Sequence, residues 1–267
     1  MAHMASELRL LQISDPHLFG PADATLRGVV TRRSLESVLR HARTQHGNAA
    51  AILVTGDLVN DDPGGYAAVR ELLGDLGKPV WCLPGNHDDP HIMRAELSEA
   101  PFSVGGHHDL GAWRIVMLDS CVPGKAHGRL GAEELARLHS ALDTAGERQV
   151  LIGLHHHPVP MGSRWIDSVA LKNPEELFAI TDRYACVRAI VWGHVHQSHE
   201  SRRKGVRLLA TPSTCAQFLP HSDHFAIDPS PPAYRRLTLR PDGTIDTEVL
   251  RLTLEERAHS NQRAAGG

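Results

Sequence analysis

The stretch VRAIVWGHVH, residues 187–196, joins an apolar run to a G-H-x-H ending. A short apolar run of this kind is typical of a strand that is buried on both faces of a sheet. Residues two apart in an extended chain point to the same side, so His194 and His196 are expected to present two imidazoles to one point. The stretch therefore predicts a buried strand of an α/β fold that ends in two potential metal ligands.

Four more apolar runs, at 8–14, 50–56, 79–85 and 149–156, precede polar residues of the same types. They end in the sequences ISDPH (13–17), TGD (55–57), GNHDD (85–89) and LHHH (154–157). Helical patterns separate the runs, and they cover 32–45, 65–76, 89–98, 131–145 and 174–185. In open α/β sheets ligands bind beyond the carboxyl ends of the strands, so the polar residues are expected to converge there. A terminal hairpin is predicted over 233–252, turning at Asp242-Gly243.

The candidate ligands are carboxylates, an amide and imidazoles. They are Asp15, His17, Asp57, Asn86, one histidine of 155–157, His194 and His196. Seven ligands are too many for one four-coordinate ion but enough for two ions that share a carboxylate, and the mixture suits Fe, Mn or Zn. Two ions about 3.5–4 Å apart can clamp a phosphoryl group and generate hydroxide near neutral pH. Gly56, Gly85 and Gly193 precede ligand positions, where the backbone is expected to turn sharply.

Composition narrows the classes of protein. The 267 residues suit one large domain, and 28 basic against 31 acidic residues give a net charge of −3, which argues against a general nucleic-acid binder. No apolar stretch approaches about 18 residues, so no membrane span is expected. The four cysteines form no C-x-x-C pair and are expected to be free thiols in the cytoplasm. Residues 1–5 are interpreted as a cloning remnant and disordered start, 6–253 as the domain, and 254–267 as a disordered tail.

The motifs resemble those of the calcineurin-like metallophosphoesterase superfamily, D-x-H, G-D, G-N-H-[DE], H-x-P and G-H-x-H. The resemblance implies a four-layer α-β-β-α sandwich of two mixed β-sheets flanked by helices. It selects His156 from the histidine triplet, because the family ligand precedes proline by two positions. It implies Asp15, His17, Asp57 and His196 on one ion, and Asp57, Asn86, His156 and His194 on the other. His87 would face the substrate as a proton donor, with Asp88 orienting it; Asn86 and His196 would also lie at the substrate.

Residues 154–177 and 208–252 more closely resemble the bacterial class III cyclic-nucleotide phosphodiesterases. This implies hydrolysis of 3′,5′-cyclic AMP to 5′-AMP by a hydroxide that bridges the metals. Other small diesters, such as glycerophosphodiesters or 2′,3′-cyclic nucleotides, are the alternative substrates, and a DNA nuclease or a non-catalytic metal-binding scaffold are rival functions. The metal identity and a homodimer are left open.

Substrate specificity is expected to come from residues outside the motifs. A late loop around 214–232 is assigned to the substrate side. Candidate nucleotide contacts are Arg164, Trp165, Asn173, Phe218, His221 and His224, with surface packing as the alternative for each. His155 and His157 are expected to be neighbours of the ligand with a structural or supporting role.

Overall fold

The computed structural model describes residues 6–253 and 256. Its strands are β1 Leu8–Ile13, β2 Thr25–Leu26, β3 Val29–Val30, β4 Ala51–Thr55, β5 Val80–Leu83, β6 Phe102–Val104, β7 Gly106–Leu110, β8 Trp113–Met117, β9 Gln149–Gly153, β10 Val187–Trp192, β11 His199–Arg203, β12 Val206–Ala210, β13 Gln217–Phe218, β14 Ile227–Asp228, β15 Ala233–Leu239 and β16 Ile245–Arg251. Its helices are α1 Thr31–His46, α2 Gly65–Gly74, α3 Pro90–Glu96, α4 Ala132–Asp143, α5 Arg164–Asp167 and α6 Pro174–Thr181.

Twelve of the strands form two six-stranded sheets. The first has the order β16-β15-β1-β4-β5-β6, and the second has the order β11-β12-β10-β9-β8-β7. Each sheet contains four parallel strands, to which antiparallel strands are added at the edges. The carboxyl ends of the four parallel strands therefore lie side by side at the same end of each sheet.

Alternating side chains on the central strands build three apolar layers. On β4, Ala51 and Leu53 pack in a core that also holds side chains of the second sheet, whereas Ile52 and Val54 pack with side chains of α1 and α2. The second sheet packs its other face against α4 and α6. This arrangement confirms the four-layer α-β-β-α sandwich of two mixed sheets.

Every predicted central strand and long helix is present, but the polar edge strands escaped prediction. β7 reads GHHDL and β11 reads HESRR, and both are partly exposed strands without an apolar run. The predicted late loop at 214–232 contains the short hairpin of β13 and β14. The expectations for residues 1–5 and for the tail from 254 lie outside the described residues, apart from Glu256. Within the described part of the chain, no helix has both the length and the apolar character needed to cross a bilayer.

Candidate metal centre

Four buried side chains occupy the same position relative to their strands. Each lies two residues beyond the last residue of β1, β4, β9 or β10, and they are Asp15, Asp57, His155 and His194. The first two follow strands of the first sheet, and the last two follow strands of the second. Because the sheets pack face to face, the four side chains converge at one end of the sandwich. The backbone N–H of His194 donates across the sheets to Asp15 Oδ1 at 3.0 Å.

The backbone at these positions is left-handed rather than extended. Asp15, His17, Asp57, His194 and His196 have φ values of 52°, 48°, 52°, 65° and 49°. Asp, Asn and His are the non-glycine residues most often found in this region, and such conformations cluster at functional sites. Asp15 and His17 do contribute ligand atoms to one group, whereas His194 and His196 belong to different groups. The expectation that each pair presents two ligands to one point was therefore right for D-x-H and wrong for H-x-H, because the residues are left-handed and do not continue the strand.

The glycines before the ligand positions are needed for close packing. A Cβ on Gly85 would overlap the Asp57 carboxylate, and one on Gly56 would overlap the His155 ring. A Cβ on Gly193 would meet Ser14 Oγ and lie 2.7 Å from Asp15 Oδ2. Only Gly56 also has a positive φ, of 93°. Gly85 and Gly193 are therefore explained by the approach of side chains, not by the sharp turn expected from the sequence.

One group of donors surrounds His17. The Nε2 atoms of His17 and His196 are 3.2 Å apart, and His17 Nε2 lies 3.7 Å from Asp57 Oδ2. His196 Nε2 is 3.4 Å from Asp15 Oδ1, while its Nδ1 donates to the Ala216 carbonyl at 2.7 Å. A histidine held in this way by its other nitrogen presents an unprotonated Nε2 to the group, as metal-binding histidines do.

A second group surrounds His155. Its Nδ1 donates to the Thr55 carbonyl at 2.8 Å, and its Nε2 lies 3.3 Å from both Asp57 Oδ2 and Asn86 Oδ1. The ring of His194 is 4.9 Å from that of His155, centroid to centroid. Asp57 therefore contacts both groups, which is the position that a shared carboxylate requires.

His156, the histidine selected from the family pattern, lies beside this group. Its Nδ1 is 2.8 Å from Ser120 Oγ, its ring packs against Gly128, and its centroid is 4.7 Å from that of His194. The described residues place no carboxylate oxygen within 4.0 Å of its ring nitrogens. Its Nε2 is buried without a hydrogen-bond partner, and a ligand atom of His156 lies within 4.8 Å of those of His155 and His194, as expected for a ligand of the second ion. His155, assigned no ligand role from the sequence, lies in the same group and contacts Asp57 and Asn86. Its position two residues beyond β9 was the signal that could have placed it there.

The donor set has the properties of a metal site. Ligand atoms of Asp15, His17 and His196 lie within 4.8 Å of one another, and so do those of Asp15, Asp57 and His155. His194 Nε2 and His156 Nε2 are buried without a hydrogen-bond partner, a costly arrangement that a bound cation would relieve. These residues therefore fit two ions.

The protonation states suit cation binding. Burial, reinforced by the neighbouring His156, holds the pKa of His194 well below its usual value, and burial also lowers the pKa of His17 to about 4. Burial raises the pKa of Asp57, but His155 and His17 outweigh it and hold that pKa well below the usual range. Neutral imidazoles around an ionised carboxylate are the forms that bind metals. His155 is the exception: burial lowers its pKa, but Asp57 and Asp15 outweigh burial and raise that pKa to about 9, so a cation that binds Asp57 there would compete with this proton.

His87 stands at the open side of the centre, and its orienting partner is Asp61. His87 Nδ1 lies 2.8 Å from Asp61 Oδ2, and its ring centroid is 5.2 Å from that of His17. The interpretation that Asp88 orients His87 was wrong. Asp88 is buried and accepts hydrogen bonds from the backbone N–H groups of Leu58, Val59 and Gly85 and from the Tyr66 hydroxyl, so it fixes the loops instead.

Three candidate nucleotide contacts have other roles. Asn173 is fully buried, and its amide bonds the backbone N–H and carbonyl of Leu130 at 3.0 and 2.9 Å, which corrects its assignment to the substrate. Arg164 pairs with Asp223 at 2.7 Å on the surface. His221 packs by Gly162, whose added Cβ would lie 3.2 Å from His221 Nδ1. Arg164 and His221 therefore pack on the surface in this structure, which is the alternative to nucleotide contact.

A two-sheet sandwich with acidic, amide and imidazole donors at one end defines the class of this protein. The chain belongs to the calcineurin-like phosphoesterase family, which matches residues 8–198.

Several proteins about 40% identical in sequence to this chain have a more specific name than the family. The 3′,5′-cyclic adenosine monophosphate phosphodiesterase CpdA of Pseudomonas aeruginosa is 41% identical over 244 residues, covering 91% of this chain and 89% of that protein. The protein of the same name from Escherichia coli K12 is 40% identical over 249 residues, covering 92% and 90%. A crystal structure of a dimetal phosphatase from Danio rerio, 14% identical, covers 92% of this chain and 99% of its own with a TM-score of 0.65, which supports the fold.

Proposed function

We propose that this protein is a dinuclear metal-dependent phosphodiesterase that hydrolyses 3′,5′-cyclic AMP to 5′-AMP. The observation that carries the proposal is the shared Asp57 carboxylate between two groups of donors, in a chain that is 41% identical to a cyclic AMP phosphodiesterase over 91% of its length. The donor types suit Fe, Mn and Zn alike, so these are equivalent choices for reconstitution. The four free cysteines are consistent with a reducing compartment such as the cytoplasm.

Asp57 would be shared by the two ions. Asp15, His17 and His196 would complete one set of ligands, and Asn86, His156 and His194 the other, with His155 beside them in contact with Asp57 and Asn86. When bound, such ions polarise phosphoryl oxygens and lower the pKa of water. The chain's own contribution is to hold the donors rigidly, since the Nδ1 atom of His196 is fixed by a backbone carbonyl and that of His156 by the Ser120 hydroxyl.

His87 would donate a proton to the ribose 3′-oxygen as it leaves phosphorus. Burial lowers the pKa of His87, but the charges of Asp57 and Asp61 and the hydrogen bond to Asp61 outweigh it, so the net shift is upward. A raised pKa increases the fraction of the imidazole that is protonated at neutral pH, which favours its role as a general acid. Its backbone N–H donates to Asp57 Oδ1 at 2.9 Å, which fixes the donor relative to the shared ligand.

The substrate assignment is tested by hydrolysis of cyclic AMP with Mn-reconstituted protein and chromatographic identification of the products. A glycerophosphodiester, a 2′,3′-cyclic nucleotide and single-stranded DNA serve as the comparison substrates. We expect 5′-AMP as the product and the highest kcat/KM for cyclic AMP. A higher kcat/KM for one of the comparison compounds would identify that compound as the substrate in place of cyclic AMP. A protein that binds two ions but cleaves none of the compounds would be a non-catalytic scaffold.

The role of Asp61 predicts a change in the pH profile. Asp61→Asn removes the carboxylate that raises the His87 pKa, so the alkaline limb of kcat/KM should move to lower pH by about one unit. The rate above that limb should fall roughly tenfold, because less of His87 is protonated there. Asp62→Asn is the matched control, since the Asp62 carboxylate binds the backbone N–H groups of Gly20 and Gly64 instead. An alkaline limb that does not move in Asp61→Asn would remove the proton-donor role from this pair.

A further inference from the structure

An apolar surface lies on the hairpin of β13 and β14. The large hydrophobic residues that are exposed in the described part of the chain are Leu219 at 41%, Phe225 at 44% and Ile227 at 41%, all within nine residues. Phe225 packs edge to face with Trp165 at 5.3 Å and with Phe218 at 5.4 Å. We refer to Trp165, Phe218, Leu219, Phe225 and Ile227 as the hairpin surface. Exposed apolar residues that cluster in this way mark a binding surface more often than a structural need.

The hairpin surface is continuous with the metal centre. The Phe218 ring stacks on the His196 ring at 4.0 Å with an interplanar angle of 5°. His196 is 5.1 Å from His17, which in turn is 5.2 Å from His87. A line of rings therefore runs from the proposed proton donor, past the donors of one ion, to the exposed Phe225. A molecule whose phosphate sits at the metal centre has this surface beside it.

Two contacts show how the surface is held and what fits on it. Arg164 pairs with Asp223 in the hairpin loop and ties this loop to the start of α5. The Arg27 guanidinium lies over the Phe225 ring at 4.7 Å, and it comes from the tight turn between β2 and β3. The Phe225 ring face is thus open enough to hold a planar group, and the side chain that covers it is an exposed arginine that can move away.

We propose that the hairpin surface binds the nucleobase of the substrate by stacking on Phe225, a proposal that rests on the phosphodiesterase function above. A base stacks on aromatic rings through its π face, which every base presents, and a planar base replaces the planar guanidinium on the same ring face. The five side chains are aromatic or aliphatic and do not read the polar edges of a base. The surface therefore selects nucleoside cyclic phosphates over base-free diesters, while accepting adenine and guanine alike.

The test compares 3′,5′-cyclic AMP with the 3′,5′-cyclic phosphate of 1-O-methylribose, which has the same reacting atoms and no base. The readout is the ratio of the two kcat/KM values, which does not depend on the fraction of active protein. Phe225→Ala should lower this ratio roughly tenfold, mainly through KM for cyclic AMP, whereas Phe225→Trp should retain it. Cyclic GMP should follow cyclic AMP in each variant. Phe178→Ala is the matched control, because Phe178, on α6, also has an arginine over its ring. The Arg203 guanidinium lies 4.5 Å from the centroid of that ring.

A ratio that is unchanged in Phe225→Ala would overturn the proposal. If the same variant instead converts a dimer to a monomer in sedimentation velocity with the ratio unchanged, the hairpin surface contacts a second copy of the chain and not a base. Failure of the parent function has a different signature: wild-type protein would cleave the comparison diesters but not cyclic AMP, and both proposals would fall together.

Discussion

Replacing Asp57 by alanine is expected to reduce kcat/KM by at least about 10³-fold and to remove bound metal. Among the described residues, Asp57 is the carboxylate that lies within 4.0 Å of histidines in both groups, with Oδ2 at 3.7 Å from His17 Nε2 and 3.3 Å from His155 Nε2. Its loss leaves the buried histidines without the negative charge that a pair of cations requires. Metal content by mass spectrometry and turnover of cyclic AMP are the two measurements.

Asp246→Ala is the control for this change. Asp246 is on β16 and forms a surface pair with Arg236 at 3.2 Å, and such pairs contribute little to stability. This variant should bind two ions and turn over normally. If Asp57→Ala retained two ions and near-normal activity, the shared carboxylate would be excluded, and with it the two-metal arrangement.

Removal of His156 is expected to have the second largest effect. His156→Ala should lose about one ion per chain and at least about a hundredfold in kcat/KM, because its Nε2 is buried without a hydrogen-bond partner and its ring lies beside that of His194. His155→Ala should keep both ions, since both ring nitrogens of His155 have protein partners, the Thr55 carbonyl on one side and Asp57 and Asn86 on the other. The two variants are adjacent in the chain and equally buried, so each is the matched control of the other.

The opposite result would contradict the assignment made from the family pattern. If His155→Ala lost an ion while His156→Ala kept both, His155 would be the ligand and the spacing to Pro158 would not identify it. Thermal unfolding of the two variants with and without added metal separates a loss of ligation from a loss of packing, because only ligation makes the unfolding temperature depend on metal concentration.

The sequence predicts best those strands that are buried on both faces of a sheet. β1, β4, β5, β9 and β10 are short apolar runs, and their pattern alone predicts that the carboxylates and imidazoles just beyond them converge. The strands that were missed, such as β7 and β11, are edge strands with polar side chains, for which pairing with a neighbour decides the conformation.

The finer arrangement of the site depends on contacts that no local pattern encodes. Asp88 follows His87 directly and was expected to orient it, yet Asp88 is drawn away by the Tyr66 hydroxyl and three backbone N–H groups. Asp61 is distant in sequence, exposed, and reaches His87 only because its loop folds back, with its backbone N–H bonded to the His87 carbonyl at 3.1 Å. The approach of His155 to Asp57 and Asn86 likewise needed the end of β9 to be placed to the residue.

The division of the donors between the two sheets bears on how the protein matures. Asp15, His17, Asp57 and Asn86 follow strands of the first sheet, whereas His155, His194 and His196 follow strands of the second. A ribosome has made the last donor only at residue 196, and the first sheet gains β15 from residues 233–239, which are later still. Because neither sheet alone provides donors for two ions, full loading follows synthesis and docking of both sheets. Metals that bind at this site would then be those that the compartment offers to a chain already folded.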